Sequence, residues 1–308
     1  MTATRVDPRD LTATSRTAAA LTRLLAEGIS TPDVSIVIPV NARSDLECVM
    51  NPLGNIAAYT GRYRIEVILV INNYPPDDPP DAAIDSFRRM GIRVIAVPSA
   101  RRPGEVVIVS ARALGAREAR APITVHFDAD CRIRDATALI DAYVHRMRRG
   151  AHVAYSRVGH YEVRRKLGVY VKLGLHHSIR WVKRNIFRIP TTRGSNYAVD
   201  RALFLRLYDE GRLSVDMQLG PAARLAGAKV AYLGGRRLSV DTSARRFQGR
   251  WGRMIPYLVQ RLRYNLHAIP TRRRPVTRTS WGGFDRECEN RAAMLIAADP
   301  DAGRDRAG

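Results

Sequence analysis

The segment Ile123-Thr124-Val125-His126-Phe127-Asp128-Ala129-Asp130 runs from apolar residues straight into two carboxylates. If the segment is extended throughout, Asp128 and Asp130 face the same way, because alternate side chains of extended backbone share a side. They would then form a pair of hard oxygen donors suited to Mg2+ or Mn2+. A divalent ion held by so few protein groups keeps coordination positions for the oxygens of a diphosphate. The same Asp-x-Asp pattern also fits a solvated acidic loop. Its meaning therefore depends on what positions it.

Other residues could take part in chemistry. Asp216 heads the segment VDMQLGPAARLAG (215–227), where it could act as a base or simply favour a helix N-terminus. Arg245 and Arg246 carry guanidinium forks that suit diphosphate oxygens, or a solvated basic loop. Arg112, in VSARALGAREAR, reads most simply as an arginine on a helix surface. His176 and His177 are adjacent in a helical stretch and point about 100° apart, so they are read as partly exposed and not as two ligands of one ion. His126 lies inside an apolar run and is read as packed, and His267 is a weak candidate for a further ligand.

The elements that would hold these residues alternate in type. VSIVIPV (34–40), IEVILVI (65–71), IRVIAVP (92–98) and ITVHFDAD (123–130) read as buried strands. Residues 45–60, 82–91 and 109–120 read as the helices between them, and NNYPPDDPPD (72–81) must be a loop. This alternation implies an α/β fold with a mostly parallel, Rossmann-like sheet flanked by helices. Ligands in such sheets bind beyond the carboxyl ends of the strands, where the loops after Asn72 and Asp128 fall. The second half is less regular. It offers a helix over 164–187, a loop and helix over 193–211, a helix over 215–227, a strand over 229–234 and a basic helix over 253–269. Residues 1–33 read as an N-terminal arm with one short helix, residues 34–250 as the main domain (34–134 a nucleotide half, 135–250 an acceptor half), residues 251–274 as a basic helix and residues 275–308 as a loosely ordered tail.

Composition limits the function classes. Hydrophobic residues make up 45% and charged residues 26%, which is a globular balance and opposes wholesale disorder. No uncharged apolar run is long enough to cross a membrane, and the N-terminus lacks the apolar core of an export signal. Three widely spaced cysteines, Cys48, Cys131 and Cys288, suit a reducing cytoplasm better than a disulfide framework. Lys and Arg number 51 against 29 Asp and Glu, for a net charge of +22. Residues 145–188 hold twelve bases and one acid, and residues 236–274 hold eleven bases and one acid, so these two segments supply +11 and +10. Charge so concentrated implies a polyanionic partner: a phosphorylated substrate, an anionic membrane or nucleic acid. No nucleic-acid-binding motif accompanies it, so nucleic acid is the weakest of the three.

The order of motifs resembles the inverting nucleotide-sugar transferases of glycosyltransferase family 2, which have the GT-A fold. The matching pieces are Ser35–Val40, Glu66–Asn73, Ala111-Arg112-Ala113-Leu114-Gly115, Asp128-Ala129-Asp130, Gly194-Ser195-Asn196, and Asp216-Met217-Gln218-Leu219-Gly220 with Gly227. The resemblance implies a nucleotide-diphosphate sugar donor, a Mn2+ or Mg2+ cofactor and a glycan or lipid-linked acceptor. It places Pro39, Val40, Asn72, Asn73, Arg112, Asp128, Arg245 and Arg246 on the donor, Asp128 and Asp130 on the metal, Gly194, Ser195 and Asn196 on the acceptor side, and Asp216 as the catalytic base. Two positions depart from the pattern: Asn72-Asn73 stands where the family has an acidic pair, and Val215 where it has a glutamate. Two rival readings are a sugar nucleotidyltransferase, which lacks its glycine-rich loop over Val40–Leu46, and a non-catalytic basic binding protein on the same fold. The expected location is cytoplasmic, with docking at the inner face of the plasma membrane through the basic helices.

Overall fold

The computed structural model describes residues 8–26, 31–99, 107–163, 167–213 and 216–243. Val215, Arg245, Arg246, His267, the expected basic helix 251–274 and the expected tail 275–308 lie outside the described residues.

Strands β1 (Val34–Asn41), β2 (Ile65–Asn72), β3 (Arg93–Ala96) and β4 (Ile123–His126) run parallel in the order β3-β2-β1-β4. The connections are α2 (Met50–Ala57), α3 (Asp81–Arg89) and α4 (Val107–Glu118). The pleat of these strands sorts their side chains to two faces. Ile36, Ile38, Leu69 and Ile71 join the core beneath α2 and α3, while Val37, Ile68 and Val70 pack against Ala111 of α4. Gly115 lets α4 come that close: a Cβ there would collide with Val37 and reach Val70 at 3.1 Å. The helix α1 (Pro8–Ala26) adds Leu21 and Leu25 to the first core, so the expected N-terminal arm packs onto the main domain.

Beyond the acidic turn come β5 (Arg132–Ile133), α5 (Ala136–Arg148), β6 (Val153–Ser156), β7 (Val158–Tyr161) and α6 (Leu167–Asn185). They are followed by β8 (Tyr197–Asp200), α7 (Arg201–Asp209), a 3-10 turn (Asp216–Gln218), α8 (Leu219–Leu225), β9 (Val230–Leu233) and β10 (Val240–Ser243). Aspartates start two of these helices: Asp135 accepts from the Ala138 N–H and Asp200 from the Leu203 N–H, each at 2.8 Å. The large sheet has seven strands in the order β3-β2-β1-β4-β8-β6-β9 and runs through both expected halves. It is mixed, because β8 lies antiparallel between β4 and β6. The stretch 193–211, expected as a loop and a helix, thus also contains a central strand. It is too short and too closely followed by a helix to show strand periodicity. A small second sheet, β5-β10-β7, sits beside the large one.

The strand expected over 123–130 stops at His126. Ala129 and Asp130 lie in a turn, with the Cys131 N–H bonded to the Asp128 carbonyl at 3.3 Å. Alternation on an extended backbone therefore does not explain the placement of Asp128 and Asp130. The turn is instead held between β4 of the large sheet and β5 of the small one, whose partner β10 pairs Val240 with Ile133 and Asp241 with Arg132. The Tyr161 hydroxyl on β7 donates to the Asp130 carbonyl at 2.7 Å and secures it from the other side.

Candidate active site

The carboxyl ends of β1, β2 and β4 point to one rim, as the parallel half of the sheet requires. The amino ends are closed by a structural network, in which the Ser35 hydroxyl donates to Glu66 at 2.5 Å and Glu66 accepts from the Arg120 N–H and guanidinium at 2.7 and 2.9 Å. The other rim carries the candidate chemistry.

Arg112 is the centre of it. The expectation of a surface arginine is overturned: the side chain is fully buried on the inner face of α4. Its guanidinium donates to Asp128 Oδ1 at 2.5 Å and to the Phe127 carbonyl at 3.4 Å, and its Nε lies 2.9 Å from Asp216 Oδ1. The contact with Asp216 is a close approach of charges without hydrogen-bond alignment, since neither Nε nor that oxygen has an aligned partner. One buried cation thus joins two acids 88 residues apart in the chain, Asp128 after β4 and Asp216 at the start of the 3-10 turn. The Tyr197 ring faces Arg112 with its centroid 5.8 Å from the guanidinium carbon. Gly194 covers the cluster. A Cβ at this position would collide with both the Asp216 carboxylate and the Arg112 guanidinium, so glycine is required for the loop to close.

Burial perturbs Asp216 in particular. Burial pushes the Asp216 carboxyl up to about 6, Arg112 draws it back down, and the Asp128 charge adds to the rise. Burial acts against the charged form of Arg112, but Asp216 and Asp128 together hold it charged, above its ordinary value. His126 is packed as expected, stacked on Tyr197 at 4.8 Å and tilted against Phe204 at 5.0 Å, and burial with the Arg112 charge keeps it neutral.

The residues expected on the donor side differ in exposure. Pro39 and Val40 are buried in β1. Asn72 is buried too, and its amide donates inward to the carbonyls of Val40 and Val70 at 3.3 and 3.2 Å. Asn73 is exposed, adopts a left-handed backbone with φ 65°, and donates to Asn41 Oδ1 at 3.0 Å. The polar pair on the rim is therefore Asn41 with Asn73. Asn41 ends β1, and the strand register that places it beside Asn72 is what the sequence alone does not print. Ser195 and Asn196, expected with Gly194 on an acceptor side, are buried, and Asn196 donates to Ser156 Oγ at 2.8 Å and to the Arg157 carbonyl at 3.1 Å.

Of the two adjacent histidines, His177 is exposed and His176 differs from expectation. His176 is buried, with Nε2 2.6 Å from the Arg193 guanidinium next to Gly194. His160, His176 and His177 bring their rings within 6.0 Å of one another. Burial, with Arg193 and other nearby cations, lowers His160 to about 3, so this group is neutral at ordinary pH. Among the described residues no cluster of three or more His, Cys, Asp or Glu side chains could hold a metal. Among the described residues the expected donors are Asp128 and Asp130, two hard oxygen groups at a half-buried turn, a set that leaves an ion to take its remaining ligands from water and a diphosphate.

The architecture is α/β, a mixed but mostly parallel sheet with helices on both faces and its candidate site at the carboxyl rim. This is a GT-A-like, Rossmann-type arrangement. The structure is similar to a mannosyltransferase from Pyrobaculum calidifontis in complex with GDP-Man and Mn2+, at 17% identity and a TM-score of 0.49, covering 83% of this chain and 75% of that one. It is also similar to glucosyl-3-phosphoglycerate synthase from Mycobacterium tuberculosis in complex with Mn2+, uridine-diphosphate-glucose and phosphoglyceric acid, at 18% identity and a TM-score of 0.43, covering 76% of this chain and 78% of that one. No family profile and no curated protein matches the sequence.

Proposed function

We propose that the chain is a divalent-metal-dependent, inverting glycosyltransferase that moves a sugar from a nucleotide diphosphate to an acceptor hydroxyl. The observation that carries this reading is the buried Arg112, which joins Asp128 of the acidic turn to Asp216 under the glycine cap of Gly194. Two acids with separate roles at one sheet rim suit a reaction that needs one group near a diphosphate and another near an attacking hydroxyl.

Asn41 and Asn73 offer donors and acceptors to a nucleobase at the end of β1 and β2. Asp128 and Asp130 would hold Mn2+ or Mg2+, which when bound neutralises the charge of the departing diphosphate. Asp216 takes the proton of the acceptor hydroxyl. The acceptor oxygen then forms its bond to the anomeric carbon from the face opposite the breaking bond to the diphosphate, and the configuration inverts. A carboxyl near 6 is well matched to this task, because it is ionised at neutral pH and yet basic enough to accept a proton. Arg112 holds the Asp216 carboxylate in place and tempers the rise that burial causes. Gly194 lets its loop close directly onto the Asp216 carboxylate and the Arg112 guanidinium.

The test is a thermal-shift panel of nucleoside diphosphates with and without Mn2+, followed by transfer or hydrolysis assays with the corresponding nucleotide sugars. A ligand that binds only the folded state raises the melting temperature by mass action. A shift that needs both diphosphate and metal supports the reading. No shift with any nucleotide would overturn it in favour of a non-catalytic basic binding protein.

A further inference from the structure

We propose that the outward face of α6 is a docking surface for an anionic lipid bilayer. Helices at a protein surface normally turn apolar residues inward and polar ones outward. In α6 apolar residues also cover the outward face. Leu167, Val171, Leu175 and Trp181 are 81%, 49%, 43% and 55% exposed, and Ile186 and Phe187, just past the helix, are 60% and 62% exposed. The exposed polar positions among them are the uncharged Gly174, Ser178 and Asn185, with His177 at the edge. The inward face holds Val169, Leu173 and two polar residues, Lys172 and His176.

Charge decides between occupants. Between Val163 and Val199 there are nine Lys or Arg residues and no Asp or Glu; Lys172 is buried, Arg193 contacts His176, and the described cations at the surface are Arg180, Lys183, Arg184 and Arg188. A second copy related by a two-fold axis would set this basic stretch against itself. The chain's own segment 244–274 is also basic and has no acid, so it offers this stretch no opposite charge. A bare polyanion such as RNA would answer the charge and leave the aliphatic side chains in water. An anionic bilayer answers both: the apolar face enters the acyl boundary by roughly 5–10 Å while the flanking cations meet headgroups and Trp181 sits at the interface. Among the described residues no helix is long and apolar enough to cross a membrane, so the contact is with one leaflet. The inner face of the same helix reaches the site, because His176 contacts Arg193 and Arg193 precedes the Gly194 cap. Resting on the transferase reading, this makes the acceptor a lipid-borne hydroxyl presented at the bilayer surface.

The experiment is co-sedimentation of the full chain with phosphatidylcholine vesicles, with and without phosphatidylglycerol, over a salt series. Wild type is expected to pellet with anionic vesicles and not with neutral ones. Binding should weaken as the Debye length shrinks from about 10 Å at 0.1 M to about 3 Å at 1 M. The variant Leu167→Glu/Val171→Glu/Leu175→Glu alters only outward side chains, and its bound fraction should fall roughly tenfold or more. Its melting temperature, and its shift with nucleoside diphosphate and Mn2+, should match wild type. Equal pelleting with neutral lipid, no pelleting, or wild-type binding by the triple variant would each overturn the proposal. Self-association that the variant abolishes, without vesicle binding, would assign the face to a second copy instead. Vesicle binding without any nucleotide binding would keep the docking surface and remove the transferase reading together with its lipid-borne acceptor.

Discussion

Asp216 lies where an acid is costly to ionise, and Arg112 is the group that makes its charge tolerable. Replacing Asp216 with Asn keeps the shape and removes the proposed base, so transfer should fall by roughly 10²–10⁴-fold while nucleotide binding stays near wild type. The wild-type rate should rise with pH and level off above an inflection near 6, and a pH–rate profile reads this directly. The same carboxyl affects stability. Its folded value of about 6 lies above the ordinary 3.8, so the folded state holds the proton more tightly. That contribution is complete below 3.8 and is lost as pH rises through about 6, and denaturant titrations should show the loss in wild type and not in Asp216→Asn. Arg112→Ala leaves Asp128 and Asp216 without their shared cation. Removing one partner of a buried ion pair typically costs about 3–5 kcal/mol, and here the loss should shrink as pH falls through about 6 and Asp216 takes up its proton. A variant as stable as wild type at neutral pH would show that the carboxylates find other partners.

At the scale of elements, α4 connects packing with chemistry. Its Arg112 face must come down on the sheet, and Gly115 one turn later permits that approach over Val37 and Val70. Gly115→Ala should gain about 1 kcal/mol in helix propensity and lose about 1–3 kcal/mol through overpacking, so the net change is destabilising. Thermal denaturation gives the sign; a stabilised variant would mean that α4 rides higher than described. The N-terminal helix α1 offers a second check. Leu21 is fully buried against the core, so Leu21→Ala should cost about 2–5 kcal/mol. A cost near zero would return residues 1–33 to the status of a loose arm.

At the scale of the whole molecule, the two sheets grip the acidic turn between them. The small sheet depends on β10, so the turn's geometry rests on chain more than a hundred residues beyond it. Metal chelation should therefore abolish diphosphate binding without unfolding the protein, because Asp128 and Asp130 sit outside the hydrophobic core. Circular dichroism and thermal shifts with EDTA check both halves of that statement. Global unfolding on chelation would make the metal structural instead.

Local pattern was enough for the parallel half of the fold. The β-branched runs of β1 and β2 are buried on both faces, and that burial is what their continuous apolar sequences encode. The carboxyl rim follows from the parallel order, and with it the neighbourhood of Asp128 and Asn73. Periodicity also marked α6 as an amphipathic helix. The sequence could not say that the apolar stripe of α6 faces outward, because the direction of a stripe depends on what lies across from it. It also could not reveal β8, whose four residues pair antiparallel with strands formed far away in the chain. The burial of Arg112 was illegible for the same reason. A lone arginine in a helix reads as solvated until the fold brings two acids, Asp128 and Asp216, to either end of its guanidinium. Asn41 was missed because its partner Asn73 becomes a neighbour only through the register of β1 on β2. Sequence fixes spacing along the chain, which specifies elements and their polarity. Only the tertiary structure sets distances across it, and those distances decide which charges share one buried site.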